Sequence, residues 1–256
     1  MRIGILGTGA IGTEVARWAH RDDQVEALFL YDIRTEAATG LAAELENAVV
    51  VGDADALIAA SDLIVEAATA EAAREVVPKA LAAKKDVLMM SIGALVDDAF
   101  HDEVRRSAKA NGVKVYLPSG AIAGIDGVKA GRLGGIKSVT LVTTKPPQAL
   151  GVDVDKWTLL FSGPAREAIR LYPKNVNVAV CLSLAGLGPD ETWVQVVADP
   201  MATRNQHKII VEGEFGRIRA EIENLPHPDN PKTSYLASLS AIATLKRILE
   251  PVQIGA

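Results

Sequence analysis

The chain has 256 residues, 49% of them hydrophobic and 23% charged, with a formal net charge of −5. Those proportions exclude general disorder and are sufficient for a substantial core without staples. The acidic balance and an aromatic content of 4% argue against a nucleic-acid partner, which needs a basic face or stacking platforms. A single cysteine, Cys181, excludes an internal disulfide framework and cysteine-rich metal sites, and its apolar run 178–182 marks it as an inert buried thiol. The N-terminal apolar stretch is too short and glycine-rich for a secretion signal, and no apolar run could span a bilayer. A cytoplasmic protein with no membrane partner is the expectation.

The first 118 residues alternate short apolar runs with helical patterns. Strands are predicted at 2–6, 26–31, 48–51, 63–66, 86–90 and 113–117, each short and mainly apolar, as in a parallel sheet buried on both faces. Between them Ile11, Val15 and Trp18 share one helical face, and Ala73, Val76, Val77, Ala80 and Leu81 share another. Pro78 interrupts the second face and is expected to kink that helix or delay its start. The fold class is α/β, a Rossmann-type doubly wound parallel sheet.

Gly7-Thr8-Gly9-Ala10-Ile11-Gly12 follows the first strand and opens an amphipathic helix. In that context Gly7 allows the tight turn, Gly9 lets a pyrophosphate reach the backbone, and Gly12 lets helix and strand pack closely. The N–H groups of the first helical turn, at Ala10 and Ile11, then face the phosphate charge. Asp32, ending the second strand, is the acidic residue expected to accept the adenosine ribose hydroxyls. Asp32 would repel a 2′-phosphate and favours NAD, while Arg34 could swing over that phosphate and admit NADP. Ligands of such sheets lie at the carboxyl ends of the strands. The loops 66–69, with Ala68 and Thr69, 91–94 and 118–124 are therefore candidates for contact with the nicotinamide and its ribose; tight turns use small residues too.

Beyond about Gly120 the pattern changes. Residues 217–223 alternate charged and apolar without a miss, which marks an antiparallel strand with one wet face. Further strands are predicted at 139–144, 156–161, 192–198 and 207–212, a hairpin at 213–216, and helices at 163–171 and 177–184. Pro231 precedes a helical pattern from 232 to 249. The expected organisation is a dinucleotide-binding domain, 1–118, joined by a C-terminal helix, 232–256. Residues 119–231 would form a second α+β domain with a mixed or antiparallel sheet, for substrate, catalysis and oligomerisation. An exposed sheet face there makes a homodimer the expected assembly.

The four histidines are scattered with no metal-ligand spacing, so no metal is expected and they remain proton-transfer candidates. His20 follows the first helix among charges, His101 falls in a charged helical stretch, and His227 sits in a Pro-His-Pro turn. His207 shares a strand face with Asn205, Ile209 and Val211, which fits either a satisfied core residue or a catalytic one. Asn175 and Asn177 stand where a helix starts, as N-caps or as amide donors. Lys145 ends a strand and could pair with a substrate carboxylate.

Several segments occur together in order: 7–12, Pro118-Ser119-Gly120-Ala121-Ile122, Lys145-Pro146-Pro147, Lys174-Asn175-Val176-Asn177-Val178, Asn205-Gln206-His207, and the tail 227–234. In this combination the chain resembles the L-aspartate dehydrogenases over its full length. The resemblance implies NAD(P)-dependent oxidation of L-aspartate to iminoaspartate, which hydrolyses to oxaloacetate and ammonia and can feed NAD biosynthesis. It also implies His207 as the catalytic histidine, and cofactor contacts from an alanine and an asparagine. These map to Ala121 and Asn177, with Ala123 and Asn175 as the seconds. Ser119, Lys145, Lys174 and Asn205 are the substrate candidates, and Lys208 and Arg204 are further cations. Two other readings stand beside this one: a dihydrodipicolinate reductase-like or homoserine dehydrogenase-like oxidoreductase, and a dinucleotide sensor without turnover.

Overall fold

A computed structural model describes residues 1–172 and 176–254. Its backbone contacts divide the chain into two compact units, one holding Met1–Pro118 with Ser238–Gln253, the other centred on Ser119–Ala237. In the first unit β1 (Arg2–Leu6), β2 (Ala27–Tyr31), β3 (Ala48–Val50), β4 (Leu63–Glu66), β5 (Asp86–Met89) and β6 (Val115–Tyr116) form one sheet in the order β3-β2-β1-β4-β5-β6. All its pairings are parallel. The chain runs outward from β1 to β3 and then returns to place β4 on the other side of β1. That reversal is the switch point at which doubly wound sheets bind ligands.

The helices α1 (Ala10–Ala19), α2 (Thr35–Ala42), α3 (Ala54–Ala60), α4 (Ala70–Ala82) and α5 (Asp98–Asn111) connect these strands, with a short 3-10 helix at Ile92–Val96. Ile3, Ile5, Leu28, Leu30, Leu63 and Val65 are sealed at the centre of the core, which Ala241 and Leu245 of α10 (Tyr235–Leu249) also enter. Local chemistry sets the helix starts. Asp53, Thr69 and Asp97 each sit in an extended conformation and accept N–H groups of the first turn of α3, α4 and α5.

Pro78 does not delay α4, which begins at its Thr69 cap and continues past the proline to Ala82. Ala73, Val76, Val77, Ala80 and Leu81 are all buried along it, and that packing outweighs the one backbone bond that proline forgoes.

The second unit holds a mixed sheet in the order β11-β10-β7-β9-β8. Its strands are β7 (Ile136–Lys145), β8 (Thr158–Pro164), β9 (Thr192–Ala198), β10 (Asn205–Gly213) and β11 (Gly216–Asn224). Only β7 and β9 pair in parallel. Helices α6 (Ile125–Leu133), α8 (Ala165–Leu171) and α9 (Val176–Ala185) accompany this sheet, with one short turn, α7 (Pro147–Leu150). Period-2 alternation buries Leu141 and Thr143 on β7, His207, Ile209 and Val211 on β10, and Val194 and Val196 on β9. A two-residue connection, Glu214-Phe215, closes the β10–β11 hairpin, with Gly216 at φ +113° supplying a conformation that side chains resist.

The expected helix from residue 232 is corrected. Asn230–Ser234 is a strand, β13, pairing with β12 (Pro226–His227), and α10 begins only at Tyr235. Pro231 suggested a helical first turn, but the backbone of this tail is drawn into extended pairing instead. The Tyr235 N–H is held by the Leu225 carbonyl at 2.9 Å.

Candidate active site

The glycine loop fits a dinucleotide at each glycine. Gly7 has φ +89°, and a Cβ there would lie 2.7 Å from the Ala67 carbonyl oxygen. A Cβ on Gly12 would collide with the Gly7 carbonyl oxygen, so helix and strand approach as closely as a side chain forbids. Gly9 has open space around its missing Cβ. It caps α1 in an extended conformation without a side-chain cap bond, at the helix start formed by Ala10 and Ile11.

Asp32 braces that loop. Its Oδ2 accepts the Thr8 N–H at 2.8 Å and the Thr8 hydroxyl at 3.1 Å, and its Oδ1 accepts the Arg34 N–H at 2.9 Å. Partial burial opposes ionisation, but the N–H groups of Arg34 and Thr8, the Thr8 hydroxyl and the Arg34 charge outweigh it. The carboxyl is held below its ordinary pKa. The Arg34 guanidinium lies 3.5 Å from Asp32 and is largely exposed.

Glu66, at the carboxyl end of β4, opens the candidate loop 66–69 but was given no role of its own in the sequence. It is fully buried and accepts the Ala68 N–H at 2.9 Å, the Ser91 N–H at 2.9 Å and the Ser91 hydroxyl at 2.8 Å. Burial raises its pKa, and these bonds oppose the shift. One carboxylate thereby ties together the loops that follow β4 and β5. Its only sequence signal is a charged residue closing the apolar run Leu63-Ile64-Val65. Of the two candidates beside it, Ala68 is exposed, and Thr69 spends its hydroxyl on the α4 cap.

In the second unit His207 is 4% exposed. Its Nδ1 lies 3.1 Å from Thr143 Oγ1, the residue paired with it on β7. Burial, and then the charge of Lys145, push its pKa down to about 4. Lys145 ends β7 two residues beyond Thr143, half-buried, with its own pKa lowered by burial. Asn205 opens β10 on the face of His207 and pairs with Asn224. Asn224, also missed, is buried and donates from Nδ2 to the Ala121 carbonyl at 3.0 Å. That bond fixes the loop carrying Ser119, Ala121 and Ala123, of which Ala121 is buried, Ser119 half-buried and Ala123 exposed.

Asn177 stands exposed in the first turn of α9. Lys174 and Asn175 lie outside the described residues. Among the other histidines, His20 contacts Asn47 Oδ1 at 2.8 Å and His101 is half-buried on α5. His227, in its Pro-His-Pro turn, is sealed. Its Nδ1 accepts the Asp229 N–H at 3.1 Å, and Tyr235 meets its ring edge-on. Cys181 is buried, and burial pushes its thiol up to about 12, so it is not a nucleophile.

A doubly wound sheet, a glycine loop shaped for pyrophosphate and a carboxylate at the end of β2 define a dinucleotide-binding protein. Residues 7–118 match the family model for the NAD-binding domain of homoserine dehydrogenase. Residues 126–248 match that for the C-terminal part of aspartate dehydrogenase. L-Aspartate dehydrogenase of Methanosarcina acetivorans is 46% identical, covering 100% of this chain and 99% of the relative. That of Methanocella arvoryzae is 47% identical, covering 99% of each. The crystal structure of aspartate dehydrogenase from Thermotoga maritima superposes with a TM-score of 0.82 at 27% identity, over 100% of this chain and 99% of that one. The chain belongs to the L-aspartate dehydrogenase family. A homoserine dehydrogenase from Thiobacillus denitrificans, at 15% identity and a TM-score of 0.63, shares the fold alone.

Proposed function

We propose that the protein oxidises L-aspartate with NAD to iminoaspartate, which hydrolyses to oxaloacetate and ammonia, with His207 as the proton acceptor. The observation that carries this reading is the placement of His207, a buried imidazole tied at Nδ1 to Thr143, with Lys145 two residues beyond Thr143 on β7. With the proton on Nδ1 donated to the Thr143 hydroxyl, Nε2 presents a lone pair. Nε2 can take a proton from the substrate ammonium, or from the water that attacks the imine. NAD, when bound, accepts the hydride from the substrate α-carbon. Gly7, Gly9, Ala10, Ile11 and Gly12 would receive its pyrophosphate and Asp32 its adenosine ribose. Arg34, Ala68, Thr69, Ala121, Ala123, Asn175 and Asn177 complete the proposed cofactor contacts, and Arg34 leaves NADP possible.

Lys145 supports a dicarboxylate substrate, because a cation in a half-buried position attracts a carboxylate far more strongly than one in water. Ser119, Asn205 and Lys174 are the other proposed substrate contacts. The His207→Ala variant should fold and bind NADH but lose kcat by about a hundredfold or more. Near-native kcat would remove His207 from the chemistry.

The cytoplasm is the proposed location; no helix among the described residues is long and apolar enough to cross a membrane. Supply of iminoaspartate to NAD biosynthesis is the proposed role. A homodimer is proposed as well, supported by the sheet face opposite His207, where Trp193 and Leu159 are 45% and 43% exposed. A mass measurement in solution tests it, and a monomer would refute it.

A further inference from the structure

Asn224 carries an unusual imbalance. Its Nδ2 donates to the Ala121 carbonyl at 3.0 Å, while its buried Oδ1 has no hydrogen-bond partner among the described residues. The orientation is not arbitrary, because a flipped amide would set Oδ1 against the Ala121 oxygen. Buried acceptors are rarely left unpaired, and an isosteric leucine would fill the same volume without that cost. The placement is informative too. Asn224 pairs with Asn205, and His207 pairs with both Ile222 and Thr143. Asn224, Asn205, His207 and Thr143 therefore occupy one face at one end of the sheet, with Lys145 two residues beyond Thr143. On this face Thr143 Oγ1 and His207 Nδ1 already engage each other.

We propose that Asn224 Oδ1 accepts a hydrogen bond from the amino nitrogen of the substrate, making it a specificity residue for amino acids over dicarboxylates that lack the amine. This rests on the L-aspartate reading. Carboxylates need donors, which cations supply; an ammonium needs an acceptor, and Asn224 Oδ1 is a buried acceptor with its capacity unused.

The test measures KM for L-aspartate, the competitive Ki of succinate and the Kd of NADH for the native enzyme, Asn224→Leu and Asn224→Ala. Both variants should raise KM for L-aspartate by about tenfold or more while the succinate Ki stays within about twofold. Equal losses for L-aspartate and succinate would make Asn224 only a brace for the Ala121 loop, and overturn the proposal. Should neither variant fold, the native enzyme with NADH bound decides. L-Aspartate should bind at least about tenfold tighter than succinate, and equal affinities overturn the proposal. Native enzyme that never reduces NAD with L-aspartate would overturn the parent reading as well, an outcome distinct from either loss.

Discussion

Thr143 Oγ1 and His207 Nδ1 meet at 3.1 Å across the β7–β10 pair, both side chains buried. The contact engages Nδ1, so the proposed proton transfer falls to Nε2. Burial and the Lys145 charge together keep the ring uncharged.

His207 should therefore titrate near pH 4 in the free enzyme, as followed by its imidazole proton resonance and assigned with His207→Gln. With the proposed contact at Lys145, a bound dicarboxylate would offset that charge, so succinate should move the His207 pKa upward. A ring that titrates near 6.5 with or without succinate would contradict the site's electrostatics.

The same shift has a stability consequence. The folded pKa lies below the unfolded value, so the unfolded chain binds more protons between about pH 4 and 6.5. Stability from keeping His207 neutral is complete above that window and is lost as pH falls through it, amounting to roughly 3 kcal/mol. Glu66, with a raised folded pKa, acts in the opposite sense. The quantity to measure is therefore the difference in unfolding free energy between the native protein and His207→Gln at pH 7 and pH 4.5. No change in that difference would remove the linkage.

Glu66→Gln replaces one acceptor oxygen with a donor against Ser91 or Ala68, whose N–H groups both point at this carboxylate. The expected cost is about 1–3 kcal/mol in chemical denaturation, together with weaker NADH binding as the two loops loosen. Unchanged NADH affinity would show that these loops do not touch the cofactor.

Asp32→Asn removes the charge that repels a 2′-phosphate. The ratio of kcat/KM for NADP to that for NAD should rise about tenfold or more. Any general loosening of the Thr8 turn cancels from that ratio. If the native enzyme already prefers NADP, Asp32 does not have the role given to it.

Much of this was legible because it was local. Gly7, Gly9 and Gly12 announce themselves by spacing, and the six short apolar runs alternating with helical patterns match a buried parallel sheet. The strict alternation at 217–223 gave β11 directly. What escaped was nonlocal. Glu66 looks like a loop residue until Ser91, 25 positions away, closes on it. Asn224 reads as a strand terminator until Ala121, 103 positions away, accepts its amide proton. The tail misled for a different reason: Pro231 is permitted in a helical first turn and also in a short edge strand, and only pairing with Pro226 and His227 decides between them.

The most direct measurement is NADH formation at about 340 nm, the nicotinamide band, by purified protein with NAD and a panel of amino acids. Reduction with L-aspartate, and none with glutamate or homoserine, is the predicted result. NADH that binds measurably while every amino acid leaves NAD unreduced would contradict the account and leave a dinucleotide-binding protein without turnover.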